Sequence, residues 1–515
     1  MRRLLSVFLL FALLAGLCCH AAAESAAPEK FSNAEGYVYT LKEDGTAEIT
    51  GYTGKEKKLE IPSELDGHTV TSIGYRAFYE NKQLTEAVLP DTIKVLGVQA
   101  FAWCEKLQSV SLPEGLESIK TNVFYCCKKL VKVNIPASAT EVMEGAFPGC
   151  ISLKEITLAP DHPFLELADG ILFNKETAAL LWYPATRKGK EYTVPEGTKR
   201  IGIQAFYSSP LEKIILPDSI EELPGASFEE CTKLKTVNIP PKVTSLDGAF
   251  KYCDKLEAIN VDEGNEVFES IDGVLFDKTA RSLIKYPVAK KGKTYAVPEG
   301  TLAIMPNAFE DTTLTGVTIP GSVRLISNNA FLFCKSLKEI VLPEGVEELG
   351  HYAFQWCSAL VKAVLPASLA TVGRNPFMSC EKLSEIVLAE GNTALETVNG
   401  CLVRKEDMAI VCCPQSLKAK QLEFPAGIRK VENSAFAYCK TLEKVTFGDG
   451  LEELQTSAFR QCKKLKRVVL PASVTNIDRT AFDLDDVVKT VFVVAPGSYA
   501  ENFFASYGLT TEPAE

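Results

Sequence analysis

The stretch from Gly321 to Pro343, GSVRLISNNAFLFCKSLKEIVLP, recurs along the whole chain with few changes. Its skeleton is A-F-x-x-C-x-x-L-x-x-[VI]-x-[LI]-P. Aligning on the aromatic gives Phe78, Phe101, Phe124, Phe147, Phe206, Phe228, Phe250, Phe309, Phe331, Phe354, Phe377, Phe436, Phe459 and Phe482. Within each block these lie 22 or 23 residues apart. A fixed period of that size marks a solenoid, because one unit cannot bury its apolar side alone and must stack on its neighbours. The 515 residues therefore read as one repeat array rather than as several separate cores.

Inside each unit the segment L-x-x-[VI]-x-[LI] alternates in the strand period, so Ile340 and Leu342 are expected to point inward and Val341 outward. The proline that follows ends the strand, since it has no N–H to give to a ladder. A turn and a second short extended piece come next, and A-F lies on the return arm with its ring filling the interior. Strands stacked one per turn predict a parallel sheet along one face.

The spacing breaks three times, from Phe147 to Phe206, Phe250 to Phe309 and Phe377 to Phe436, each time by 59 residues, one normal unit plus 36. Within the breaks lie DGILFNKETAALLWYP at 169–184, DGVLFDKTARSLIKYP at 272–287 and NGCLVRKEDMAIVCCP at 399–414. Two short apolar strands flank a polar tip in each, which predicts an inserted β-hairpin. Fourteen units and three hairpin-bearing turns make about 17 turns of solenoid.

Both ends depart from the repeat. Residues 1–23 run from Met1-Arg2-Arg3 through an apolar stretch to Ala21-Ala22-Ala23, the pattern of a secretory signal peptide. The run falls short of the ~20 residues a spanning helix needs, and Leu17 before Cys18 fits a lipoprotein signal poorly. Residues 24–72 form an N-terminal cap, with YVYTLKEDGTAEITGYTG alternating around Asp44-Gly45 as a hairpin. The solenoid occupies 73–485. At 486–515 a strand from Thr490 to Val494 and a short helix near Ser498 to Tyr507, stopped by Gly508, form the C-terminal cap.

The net charge of −11 becomes −13 when the two arginines of the leader are removed. An acidic chain disfavours nucleic acid and anionic membrane as partners, and no segment of the mature chain is apolar enough to span a membrane. Of the 16 cysteines, Cys104, Cys127, Cys150, Cys231, Cys253, Cys334, Cys357, Cys380, Cys439 and Cys462 each sit three residues after a repeat phenylalanine. Asn81, Ser209, Thr312 and Asp485 stand in the same column. A site that accepts small polar groups points to a buried free thiol fitted to its turn rather than to a disulfide. A local pair between Cys401 and Cys412 or Cys413 stays open.

These features resemble the BspA-like leucine-rich-repeat family of bacterial and protozoan surface proteins: the EDGTAEITGYTG opening, the phenylalanine-centred units, the DGxLF hairpins and the GSYAENF tail. The resemblance implies a β-rich leucine-rich-repeat solenoid, with a parallel sheet on one face and short extended or turn segments on the other. It further implies a secreted or cell-surface bacterial protein associated with adhesion to host proteins or other cells. The unit departs from the general leucine-rich pattern, which places Asn or Cys after the strand; here the cysteine precedes it.

No catalytic constellation, metal-ligand spacing or cofactor motif emerges, and His68, His162 and His351 read as scattered, solvent-exposed loop residues. What remains is surface. The outward strand positions align Val341, Val364 and Val387 in adjacent turns, flanked by Glu339, Lys362 and Glu385, a candidate docking patch on the concave face; β-branched residues also simply suit a strand, and the charges a solvated ladder. A second column holds Trp103, Tyr252, Phe333, Trp356 and Tyr438, which could anchor a protein or a sugar ring or else pack on the next turn. The hairpin tips Asn174-Lys175-Glu176, Asp277-Lys278 and Arg404-Lys405-Glu406 offer spaced contacts or plain solvated turns. The expected function is non-enzymatic: a monomeric binding protein for an extracellular or host protein, with a glycan-binding module or a passive envelope scaffold as alternatives.

Overall fold

The computed structural model describes residues 29–246, 248–483 and 490–514. The leader at 1–23 and the column position of Asp485 lie outside the described residues. The chain divides into two compact units, Met1–Arg187 with Gly202–Ser208, and Lys188–Ile201 with Ser209–Glu515. Each is a β-solenoid.

In the first unit, strands Tyr37–Leu41 and Ala47–Tyr52 pair antiparallel around Gly45, where Asp44 accepts from the Thr46 N–H and hydroxyl. Ala47–Tyr52 then receives His68–Ile73 in parallel, so the cap hairpin covers the first turn of the stack, as expected. From there each turn adds one strand to each of two parallel sheets. One takes Lys58–Glu60, Glu86–Val88, Ser109–Ser111, Lys132–Ile135 and Glu155–Leu158; the other takes the two-residue strands Val95–Leu96, Ser118–Ile119 and Glu141–Val142. The second unit repeats the pattern, for example in Glu339–Val341, Lys362–Leu365 and Glu385–Leu388, whose register pairs Val341 with Val364 and Val364 with Val387.

The inward parity holds. Ile340 and Leu342 are buried while Val341 between them is 52% exposed, as a half-buried strand of period two requires. The phenylalanines form columns of parallel rings: Phe309 on Phe331 at 4.7 Å and 3°, Phe331 on Phe354 at 4.8 Å and 12°, Phe78 on Phe101 at 5.0 Å and 4°. The ring spacing matches the rise of a sheet because the backbone carrying the ring is itself laddered; the Phe331 N–H donates to the Ala353 carbonyl of the next turn at 2.7 Å. Full burial of each ring is worth about 2–3 kcal/mol.

The cysteine column lies beside the rings, and every described cysteine is a free thiol. The Sγ of Cys104, Cys127, Cys150, Cys334, Cys357 and Cys380 donates to the carbonyl of the phenylalanine 25 or 26 residues earlier, at 3.0–3.2 Å. Cys401, Cys412 and Cys413 are likewise buried and unpaired.

Each insertion holds one strand more than a hairpin. Leu165–Ala168, Ile171–Asn174 and Ala179–Trp182 form an antiparallel meander, as do Phe268–Ile271, Val274–Asp277 and Ser282–Lys285, and Leu395–Val398, Cys401–Arg404 and Ala409–Cys412. The Asp-Gly or Asn-Gly pair opening each motif is the tight turn between the first two strands, with positive φ at Asp169 and Gly170, Asp272 and Gly273, Asn399 and Gly400, as hairpin turns of the primed type demand. The last strand then runs into the aromatic column. Tyr183 stacks on Phe206 at 5.2 Å and Tyr286 on Phe309 at 5.4 Å. Tyr183, Tyr286 and Cys413 each stand 36 residues after one column phenylalanine and 23 before the next. The insertion is thus an enlarged turn that keeps its place in the stack.

At the C-terminus, Val491–Val494 continues the sheet and the helix Tyr499–Ser506 follows. Ser498 caps it by accepting from the Glu501 N–H, and the Glu501 carboxylate accepts from Gly497 N–H, a reciprocal arrangement of the capping-box kind. Gly508 leaves the helix at φ +72. A further strand, Thr511–Pro513, returns beside Val491–Val494; nothing in the repeat pattern signals it.

Candidate interaction face

Six of the eight residues singled out from the sequence come together. Glu339, Lys362 and Glu385 form one row of the sheet, and Val341, Val364 and Val387 the next, because consecutive turns pair without a register shift. Val341 is exposed; Val364 and Val387 are half-buried, shielded by their own row. Lys362 Nζ lies 3.5 Å from Glu385 Oε2, and Glu339 has no ion pair among the described residues. Such cross-strand pairs recur at the same column, as in Lys132–Glu155 at 3.1 Å and Lys58–Glu86 at 2.8 Å. Exposed pairs of this kind contribute little to stability, because solvent screens them and ordering two long side chains costs entropy. In this row the pair balances Glu385 against Lys362 and leaves the Glu339 carboxylate beside the valines.

Trp103 and Trp356 are placed elsewhere. Both sit on the arm after the column phenylalanine, in left-handed backbone at φ +62 and +61, and both are half-buried. Trp103 meets Tyr125 edge-on at 5.6 Å and Trp356 stacks on Phe333 at 6.1 Å. Their backbone N–H groups donate to the next turn, to the carbonyls of Tyr125 and Met378. Tyr252, 46% exposed, stands freer, with Lys251 4.9 Å from its ring centre.

The hairpin tips are held inward. Lys175 Nζ donates to the His162 carbonyl at 2.6 Å, Lys278 to that of Asn265 at 2.6 Å and Lys405 to that of Asn392 at 2.8 Å. Arg404 is bound by Asp407 and Glu432. The three lysines thus tie each tip to the loop before it.

The histidine reading needs correction at two positions, the first being His68, which is half-buried and opens the strand His68–Ile73. His351 is exposed, its Nδ1 accepting from Arg374 N–H at 2.8 Å, but His162 is 3% exposed. A histidine falls there because the chain enters the meander through a sharp buried turn whose N–H groups need an acceptor.

Sequence reasoning also missed a charged cleft beside the second insertion, lined by Tyr252, Asp254, Lys285, Glu310 and Asp311. Lys285 Nζ lies 3.8 Å from Glu310 and donates to the Asn307 carbonyl at 3.0 Å; the two side chains are 18% and 13% exposed. Burial holds the Lys285 ammonium below its usual range and pushes the Glu310 and Asp311 carboxyls up. The first insertion has Trp182 in the corresponding place. Among the described residues there is no group of three or more His, Cys, Asp or Glu fit to hold a metal ion, and no helix is long and apolar enough to cross a membrane.

Comparison with known proteins follows the repeat. The family model for the BspA type leucine rich repeat region matches residues 71–168, 185–286, 302–401 and 411–511. Solved structures similar to this chain include a leucine rich cell surface protein from Faecalibacterium prausnitzii, 22% identical over 93% of this chain and 98% of that one, with a TM-score of 0.34. A leucine-rich repeat protein from Eubacterium ventriosum is 19% identical over 88% and 94%, with a TM-score of 0.35. One from Bacteroides ovatus is 19% identical over 93% and 98%, with a TM-score of 0.28. No curated protein matches. With the matched segments spanning most of the chain and the ring and thiol columns built from those same segments, this protein belongs to the BspA-type leucine-rich-repeat family.

Proposed function

We propose that the protein is a non-enzymatic binding protein displayed at the cell surface, and that the row Val341, Val364 and Val387 docks an extracellular protein partner. The observation that carries this reading is Val341, 52% exposed beside two further valines in a row flanked by the Lys362–Glu385 pair and the Glu339 carboxylate. An apolar centre inside a polar rim is how protein interfaces are built, and neighbouring turns would add weak contacts whose combined avidity exceeds any one of them. A passive envelope scaffold is the second reading, favoured by the ion pairs that satisfy the charged rows internally.

The test is saturable binding of purified residues 24–515 to extracellular matrix proteins, glycans and whole cells, followed by the double variant Lys362→Glu with Val364→Asp. A fall of about tenfold or more in affinity, the loss of roughly 1.4 kcal/mol of contact energy, is expected. Unchanged binding by the variant removes the valine row from the site. Saturable binding to none of the panel supports the scaffold.

A further inference from the structure

The three insertions enter through the same joint, built from two different side chains. In the second, Asn265 is 1% exposed; its Nδ2 donates to the Pro240 and Val243 carbonyls at 2.8 and 2.9 Å, and its Oδ1 accepts from the Val267 and Phe268 N–H groups at 2.9 and 2.7 Å. In the third, Asn392 makes the same four bonds, to the Pro366 and Leu369 carbonyls and from the Ala394 and Leu395 N–H groups. In the first, His162 stands in their place. Its Nδ1 accepts from the Phe164 and Leu165 N–H groups at 3.3 and 3.2 Å. Its Nε2 is buried without a hydrogen-bond partner, and the backbone of Pro136 and Ala139, the counterparts of the carbonyls that the asparagines reach, acts on the ring.

This geometry admits only the neutral ring with its hydrogen on Nε2, since Nδ1 must offer a lone pair to two N–H groups. We propose that His162 makes the first insertion an acid-sensitive joint: a proton on Nδ1 turns the acceptor into a donor, orphans two buried N–H groups and opens the 162–182 segment, while the asparagine-held insertions stay closed. The ring is acted on by the backbone of Pro136 and Ala139 from the preceding turn and by Lys175, whose ammonium is tied to the His162 carbonyl. No carboxylate is among the groups acting on the ring, and Lys175 opposes a second positive charge. Burial accordingly holds the imidazole below its ordinary value of 6.5. A folded-state value below the unfolded one means that the joint is at full strength above about 6.5 and weakens as pH falls below it.

Hydrogen exchange of the full chain, corrected for the intrinsic rate at each pH, tests this at about pH 7.5 and about pH 5. The opening constant of the 162–182 segment is expected to rise by up to about 30-fold at the lower pH, tenfold for each unit below 6.5. The segments at 265–285 and 392–412 are expected to hold. His162→Asn should abolish the acid response, and Asn265→His should transfer one to the second insertion. An acid response that survives His162→Asn overturns the proposal, as does its absence from the wild-type first insertion. Should His162→Asn not fold, a second insertion left indifferent to acid by Asn265→His overturns it alone.

Discussion

The Cys357 Sγ donates to the Phe331 carbonyl at 3.2 Å, and both side chains are fully buried. The ring column and the thiol column are therefore one device: phenylalanine fills the interior, and its otherwise spare carbonyl lone pair is met by a small donor from the next turn. Cys357→Ala removes the donor and leaves a void; a loss of about 1–3 kcal/mol is expected. Cys357→Ser keeps a donor at a column position that Ser209 occupies in its own turn, and should cost less. Denaturant midpoints of the full chain decide it, and equal losses for the two variants would refute the hydrogen-bond account.

Burial should also silence these thiols. It pushes Cys104 and Cys253 up to about 12, so at about pH 8 almost no thiolate forms, and only the thiolate attacks a disulfide reagent. Chromogenic thiol titration is expected to find little reactivity in the native protein and full reactivity after denaturation. Prompt reaction of the folded chain would contradict the packing.

Lys285→Met should destabilise by about 3 kcal/mol near neutral pH, because it strands the buried Glu310 carboxylate. Burial already raises that carboxyl above its ordinary 4.5, so the folded variant takes up a proton more readily than the unfolded chain and the deficit shrinks as pH falls. Adding Glu310→Leu should recover most of the loss at every pH. Denaturation midpoints at about pH 7 and about pH 5 supply the check; a Lys285→Met protein as stable as wild type at both would rule it out.

Ala226 sits at φ +64 in a column where Gly145 and Gly248 hold φ +67 and +65. A side chain in left-handed backbone costs about 1 kcal/mol, so Ala226→Gly should stabilise and Gly145→Ala destabilise by roughly that amount. Space does not decide the second case, since the nearest atom to a new Cβ at 145 would be 3.5 Å away. Shifts of the same sign in the two variants would show that strain is not the cause.

The repeat period, the inward parity of Ile340 and Leu342, the buried cysteine column and both caps were legible because each rests on a local alternation of apolar and polar residues copied from turn to turn. The aromatic place of Tyr183 and Tyr286 was legible in principle, at 36 residues after one phenylalanine and 23 before the next, but a rule anchored on Phe passes over it. The left-handed column that holds Trp103, Phe333 and Trp356 carries a glycine in one turn, Gly149 at φ +73, and bulky or polar residues in the others, so the sequence signals it at a single position.

By itself, then, the sequence determined which side chains stack, since a residue that recurs every turn meets its own copy. Tertiary structure alone decided what the unrepeated residues meet. Lys285 finds Glu310 across a turn, and His162 enters a joint that the other insertions close with asparagine. Lys285 and Glu310 lie 25 residues apart in a pairing that no other insertion copies, and only the closed backbone ladder brings them within reach.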